Sequence, residues 1–326
     1  MLRALLLVAG LGVVGYLVVQ VGVATVWSAF HTLSWWLLLV VVFPTSLVAV
    51  LATLAWRATI PGSPGSLLRL LGVRTVGDAL NLVTPTASVG GDPVKALLLR
   101  PAVPLGEGLA SVVADKTTGV IAQTLILLVA LAASHGASTG TAPLRAAMLG
   151  LLALQILCVG GFLAAQLGGA AGFAGRLLAR SGLGRAAGAH ALGRLDATLR
   201  SLYLGQPRRV VVSILCHFLA FAASTLEIYL VLRLLGVPIS PATAFAVGAF
   251  GTAVKFVSFM IPASLGALEG GNAAIFAAFG LGGAAGLTYT LVRRLREIVW
   301  IGAGFAALSL LTPRRRRAGA PAASSG

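Results

Sequence analysis

Two stretches of this chain place a helix breaker and a carboxylate inside otherwise apolar sequence. They are Pro85-Thr-Ala-Ser-Val-Gly-Gly-Asp92 and Pro262-Ala-Ser-Leu-Gly-Ala-Leu-Glu269. In each, a Pro is followed by six residues and then an acid, with Gly in the gap. A broken backbone carrying a charge at membrane depth is costly. It persists only where protein or a water-filled cavity surrounds it. That constraint matters because the surrounding sequence is membrane-like. Hydrophobic residues make up 58% of the chain and charged ones 10%, against about 25% charged in a soluble domain. Apolar runs of about 20 residues, the length that crosses a bilayer, recur along it.

The sequence therefore predicts an all-α polytopic membrane protein, with one integral membrane domain over 1–312 and a basic, disordered tail over 313–326. Full spans are expected at about 4–23, 34–56, 108–134, 145–167, 209–235 and 284–311. The apolar regions at about 75–100 and 241–281 are broken by Pro, Gly and charge, and read as re-entrant hairpins or pairs of short crossings. The run after Met1-Leu-Arg3 lacks a small-x-small cleavage site and reads as an uncleaved first span.

The net charge of +16 does not point to nucleic acid, because the basic residues cluster at the ends of apolar segments. Arg57, Arg69 and Arg74 follow the second span, Arg176 to Arg208 crowd the 168–208 segment, and Arg314 to Arg317 follow the last span. The segments 24–33, 135–144 and 236–240 hold no Lys or Arg. This alternation places both termini and the 57–74 and 168–208 loops in the cytoplasm. Within the long loop, Leu192, Leu195, Leu199 and Leu202 recur at helical spacing. They predict an amphipathic helix lying on headgroups or serving as a connector, with an Asp196–Arg200 pair at i,i+4. Cys158 and Cys216 lie in apolar segments and read as small buried hydrophobes.

The two broken regions share a register. Pro85 and Pro262, Asp92 and Glu269, and Lys116 and Arg293 are each separated by 177 positions (262−85, 269−92, 293−116). A full span follows each region, and charge orients those spans oppositely. This is the pattern of an inverted-topology repeat, with halves around 75–134 and 252–311 meeting near the midplane.

The candidate site follows from the ionisable residues. Asp92 suits the positive end of a half-helix, and Lys95 can meet an anion or close an internal ion pair. Ser111, Asp115 and Thr118 share a helical face. Lys116, adjacent to Asp115, points about 100° away and needs its own partner. Arg293, Arg296 and Glu297 occupy the matching place in the second half, with Arg294 among them. An Asp115/Glu297 and Lys116/Arg293 cluster is the expected core. Lys255 and Glu227 are intramembrane ionisable groups, whose structural alternatives are snorkelling and a helix–helix bond. Pro85, Gly90, Gly91, Pro262, Gly270 and Gly271 are the expected breaks or close approaches.

Other motifs fail. Gly10-Leu-Gly-Val-Val-Gly15 lies inside an apolar run with no preceding strand. No Walker loop or metal-binding spacing occurs, and the four histidines are scattered, so no cofactor or metal is expected.

These residues carry a resemblance. Asn81-Leu-Val-Thr-Pro85, Gly90-Gly-Asp-Pro-Val-Lys95, the stretch from Ser111 to Gly119 and Ile261-Pro-Ala-Ser-Leu-Gly-Ala-Leu-Glu-Gly-Gly271 resemble the signatures of the flippase-like family. That family is related to the transmembrane region of lysylphosphatidylglycerol synthases. Ala110 to Gln123, Leu268-Glu-Gly-Gly271 and Arg293-Arg-Leu-Arg-Glu297 most resemble its hopanoid-biosynthesis-associated branch. The resemblance implies a protein of the cytoplasmic (inner) membrane that moves a lipid or lipid-linked group between leaflets. It also implies that Asp92, Lys95, Asp115, Glu269, Arg293, Arg296 and Glu297 fall at the family's charged positions. Lys95 stands where relatives often carry Arg, which keeps the charge and loses the fork. The soluble aminoacyl-transferase domain of the full synthases does not occur in these residues, so lysine transfer is not expected of them.

A lipid translocase is the expected function. An integral-membrane transferase using a polyprenyl-phosphate or phospholipid donor is the alternative, as is a non-catalytic partner of a lipid-modifying system docked through 189–203. Membrane lipids (anionic phospholipid, polyprenyl-linked or hopanoid-type) and lipid-biosynthesis enzymes are the expected partners.

Overall fold

The computed structural model describes residues 36–62, 64–84, 90–133, 142–180, 186–234, 236–258 and 267–312. The expected first span at 4–23, both Pro85 and Pro262, and the tail after 312 lie outside them.

The described residues form eleven helices and no strand. They are α1 (Trp36–Thr59), α2 (Leu67–Val83), α3 (Asp92–Leu99), α4 (Leu105–Ala133), α5 (Ala142–Gly168), α6 (Ala170–Arg180), α7 (Ala186–Gly205), α8 (Pro207–Leu234), α9 (Pro241–Val257), α10 (Ala267–Ala278) and α11 (Gly283–Leu311). Four segments are long and apolar enough to cross a bilayer: Leu39–Thr59, α4, α5 and α8. They coincide with four of the expected spans. The fifth, 284–311, is one unbroken helix of 29 residues. At about 1.5 Å per residue it exceeds the roughly 30 Å bilayer core, but it carries Arg293, Arg294, Arg296 and Glu297 along its middle. Those charges require protein or water around them, which sets α11 inside the bundle.

Outward faces are apolar. On α5, Leu154, Ile156, Leu157 and Phe162 are exposed, as are Val211, Val212, Leu215 and Leu219 on α8. In water such a surface would drive association. In hydrocarbon it is the solvated side. Cys158 is exposed on the same helix rather than buried as its apolar setting suggests, and Cys216 is half-buried.

Helices in lipid associate through close packing, since lipid tails are as apolar as Leu. Small residues provide it here. A Cβ at Gly286 would meet the Asn272 carbonyl oxygen at 2.7 Å, and one at Gly304 would crowd Ala79 and the Thr75 carbonyl. These two glycines let α11 lie against α10 and α2. A core of Phe250, Phe276, Tyr289, Val292, Ile126 and Leu127 fills the space between α4 and α8–α11.

The helices fall into two sets of four, α1–α4 and α8–α11. Their lengths are 24, 17, 8 and 29 residues, then 28, 17, 12 and 29. Their contacts correspond pair for pair. The second helix of each set packs on the last of the other, α2 on α11 and α9 on α4. The short helix packs on its neighbours, α3 on α2 and α4, α10 on α9 and α11. The first helices, α1 and α8, pack on each other.

The cytoplasmic-loop expectation needs one correction. Helix α7 forms as the leucine spacing predicts, and Leu199 and Leu202 are buried against Ala110 and Ala114 of α4. That part of its apolar face is taken by the bundle, which fits the connector reading of this segment. The Asp196–Arg200 pair is replaced. Asp196 Oδ2 accepts from the Gly172 amide at 2.6 Å, satisfying a free N–H in the first turn of α6. Tyr203 donates to Gln166 at 2.7 Å and Gln166 to Thr117 at 3.0 Å, which ties α7, α5 and α4 together.

Candidate functional site

Each break is followed by a short helix that begins on or near an acid. Asp92 is the first residue of α3, with Pro93 behind it, where an anion is favoured by the helix dipole and Pro needs no N–H partner. Glu269 sits in the first turn of α10. In both halves this carboxylate turns to a cation on the long helix that follows. Lys116 Nζ lies 2.9 Å from Asp92 Oδ2, and Arg294 Nη2 lies 2.7 Å from Glu269 Oε1.

The first network grows from α2. Arg74 Nη1 lies 3.1 Å from Asp115 Oδ2 and also donates to the Ala52 carbonyl of α1 at 2.8 Å. Asp78 accepts from Lys95 at 2.6 Å and lies 3.5 Å from Arg74 Nε. Asn81 accepts from the Gly91 amide at 2.7 Å and donates to Asp92 at 3.3 Å. His217 of α8 closes the far end, its Nε2 2.9 Å from Asp115 Oδ1. Glycines make the approach feasible. A Cβ on Gly91 would overlap the Gly77 carbonyl oxygen, and one on Gly77 would overlap the Lys95 side chain. Lys95 thus crosses α2 over a bare backbone to reach Asp78.

The second network is centred on Arg294, 2% exposed, which bridges Glu269 and Glu297. Its Nη1 donates to Glu297 at 2.9 Å, and Arg293 Nε reaches the other Glu297 oxygen at 3.3 Å. Arg296 pairs with Glu227 of α8. Asn272 donates to Thr290 at 2.9 Å nearby.

Lys255, near the end of α9, differs from these cations. No ion pair or side-chain hydrogen bond holds its ammonium among the described residues. Its side chain is accessible, yet it lies within electrostatic reach of Arg293, Glu297, Asp78 and Arg294. Asp78 is likewise accessible, at 52% of its side chain, although its partners are buried. These two residues belong to different helix sets, are both accessible and lie within electrostatic reach of each other. Charge differs between the networks. In the first, Arg74, Lys95 and Lys116 balance Asp78, Asp92 and Asp115 when His217 is neutral. In the second, four cations (Lys255, Arg293, Arg294, Arg296) face three carboxylates (Glu227, Glu269, Glu297). One positive charge is left over.

The expected joint core of Asp115/Glu297 and Lys116/Arg293 does not form. Lys116 pairs with Asp92 and Asp115 with Arg74 and His217, while Glu297 takes Arg293 and Arg294. Ser111 and Thr118 share the Asp115 face as expected but serve helix packing, toward Trp56 and Thr59 of α1 and Ser213 of α8. A Cβ at Gly271 would crowd Val254, a close approach, whereas one at Gly270 meets open space. Gly90 precedes α3 in a turn.

Sequence reasoning missed four members. Arg74 reads as a loop charge following a span, but it lies inside α2 and is largely enclosed. Asp78 and Asn81 carry the signal of polar residues in an apolar run. His217 has no local motif and becomes visible only when α8 meets α4.

A family model described as the lysylphosphatidylglycerol synthase TM region matches residues 2–304 of this chain. Neither the curated proteins nor the solved structures contain a match to it.

Proposed function

The chain belongs to the lysylphosphatidylglycerol synthase TM region family, a membrane-domain family linked to lipid synthases, and from that premise we propose that this multi-pass protein carries a lipid or lipid-linked group between leaflets of the cytoplasmic membrane. One observation carries the reading. Two helix sets with matching elements and reciprocal packing each bring a half-helix carboxylate to a cation, and an accessible charged side chain from each set, Asp78 and Lys255, lies within electrostatic reach of the other. Such a pairing of broken-helix units around a polar site near the midplane suits alternating access. The headgroup occupies the polar site while the acyl or polyprenyl tails stay in lipid beside the apolar outer faces.

The surplus positive charge in the second network favours an anionic headgroup. Lys255 is accessible and has no ion pair among the described residues, so one negative group arriving at Lys255 and Arg293 finds an unneutralised cation at a polar site inside a membrane domain, where opposite charge is favoured. Asp92, Lys95, Asp115, Lys116, Glu269, Arg296, Glu297 and Glu227 then hold the shape of the site and the charge around it. Both termini and the 168–208 segment face the cytoplasm in this arrangement.

An integral-membrane transferase would also use paired acids and bases. Incubating purified protein in micelles with phosphatidylglycerol and a polyprenyl phosphate separates the two. Carriage predicts no new covalent product in micelles and movement of lipid in sealed vesicles. A product formed in micelles would assign the site to transfer chemistry instead.

A further inference from the structure

Histidine is the side-chain type that ordinarily changes charge near neutral pH, and His217 is the histidine of the first network. It is buried, sits well inside an apolar span, and among the described residues its charged contact is Asp115 at 2.9 Å. A carboxylate accepts only, so Nε2 carries the hydrogen of that bond and an added proton lands on Nδ1. The other charges near α8 face elsewhere. Behind Asp115 stands Arg74, with Lys95 within electrostatic reach. On α1 the charge is Arg57, which is exposed. On α9 it is Lys255, near the second network. On α7, Arg194 and Arg200 are exposed and Asp196 caps α6. On α11, Arg293, Arg294, Arg296 and Glu297 belong to the second network, and α4 adds Lys116, paired with Asp92, and Glu107 in its first turn. On α8 itself, Glu227 pairs with Arg296, while Arg208, Arg209 and Arg233 lie toward its ends.

The bonds run without a gap from His217 through Asp115, Arg74 and Asp78 to Lys95, Asp92 and Lys116. Two members of this chain of bonds are accessible, Asp78 at 52% and Lys116 at 41% side-chain exposure. With His217 neutral, the three cations of this network match its three carboxylates. A headgroup seated at Lys255, which lies within electrostatic reach of Asp78, competes with Asp78 for its partners Lys95 and Arg74, and drawing either away leaves one carboxylate without its cation.

Resting on the carrier reading, we propose that His217 is the proton-binding residue of the transport cycle, taking up a proton at Nδ1 as an anionic headgroup binds and losing it on release. The imidazolium then replaces Arg74 as the charge partner of Asp115. The reacting proton comes from water and returns to it, and no bond to carbon, phosphorus or sulfur changes. Linkage is reciprocal: a headgroup that promotes protonation is itself bound more tightly as pH falls, by up to about tenfold per unit for one proton.

The test is proton uptake by detergent-solubilised full-length protein in weak buffer at pH 7, read with a pH-sensitive dye as phosphatidylglycerol is added and thermal stabilisation reports binding. Phosphatidylcholine is the control. Wild type should bind phosphatidylglycerol with a fractional proton uptake of at most one per chain, and His217→Gln should bind it with none. Should His217→Gln fail to fold, the wild-type affinity measured from pH 8 to pH 5.5 reads the same linkage. Binding without uptake, or the same uptake in His217→Gln, overturns the role of His217 and leaves the carrier reading intact. Absence of lipid movement in sealed vesicles, with linked uptake still present, overturns the carrier reading and keeps His217 as the proton site. Failure of phosphatidylglycerol to bind at all overturns the inference.

Discussion

Glu269, in the first turn of α10, accepts from the Arg294 guanidinium of α11 at 2.7 Å. Its counterpart in the other helix set, Asp92 with Lys116, spans 24 residues of sequence where this pair spans 25. The two pairs differ in burial. Arg294 is 2% exposed and Lys116 41%. Removing a buried cation strands its carboxylates, here Glu269 and Glu297. Arg294→Gln should therefore cost about 3–5 kcal/mol, while Lys116→Gln should cost on the order of 1 kcal/mol. Equilibrium unfolding in mixed micelles checks the contrast, and equal losses would contradict the geometry.

Gly91 and Gly270 make a second contrast. A methyl on Gly91 meets the Gly77 backbone carbonyl, which cannot move without shifting α2. Gly91→Ala should lose about 1–3 kcal/mol and much of its folded yield. Gly270→Ala points into open space and should behave as wild type in the same unfolding measurement.

Lys255 should separate stability from transport. It forms no ion pair among the described residues, so Lys255→Gln should leave the melting temperature unchanged or raise it, because it removes the surplus charge. Movement of an anionic lipid should fall at least tenfold, and Lys255→Arg should restore part of it. A drop in stability equal to that of Arg294→Gln would show that Lys255 is structural.

Asp196→Ala removes the side chain that accepts from the Gly172 amide and should cost about 1 kcal/mol. The loss should be local. Limited proteolysis across α6 and α7 should quicken while the unfolding of α8–α11 is unchanged.

The fold was legible where the signal is local. Apolar run length located α4, α5 and α8, and the acids at 92 and 269 fall in the first turns of the short helices α3 and α10. The Leu192 to Leu202 spacing located α7 but could not say what covered it. The candidate site was legible residue by residue and not as a pairing. Lys116 and Arg293 share a register by counting, yet Arg294 is the cation that reaches Glu269, because a one-residue step turns a helix by about 100°. Arg74 followed an apolar span and read as a loop anchor, and only the packing of α2 on α1 and the reach of this side chain to Asp115 of α4 reveal its partners. His217 depends on a contact 102 residues away in sequence, which no local pattern encodes.

The account rests on movement of a lipid past the charged groups of the two helix sets, and transbilayer movement is its most direct test. Fluorescent phosphatidylglycerol and polyprenyl-lipid analogues in sealed proteoliposomes are exposed to an outer-leaflet quencher, with wild type compared to Asp92→Asn and Glu269→Gln. The account predicts that wild type brings inner-leaflet lipid to the quencher, and that both folded variants stop at the protein-free rate. Wild-type vesicles indistinguishable from empty ones, or variants that move lipid at the wild-type rate, would contradict it.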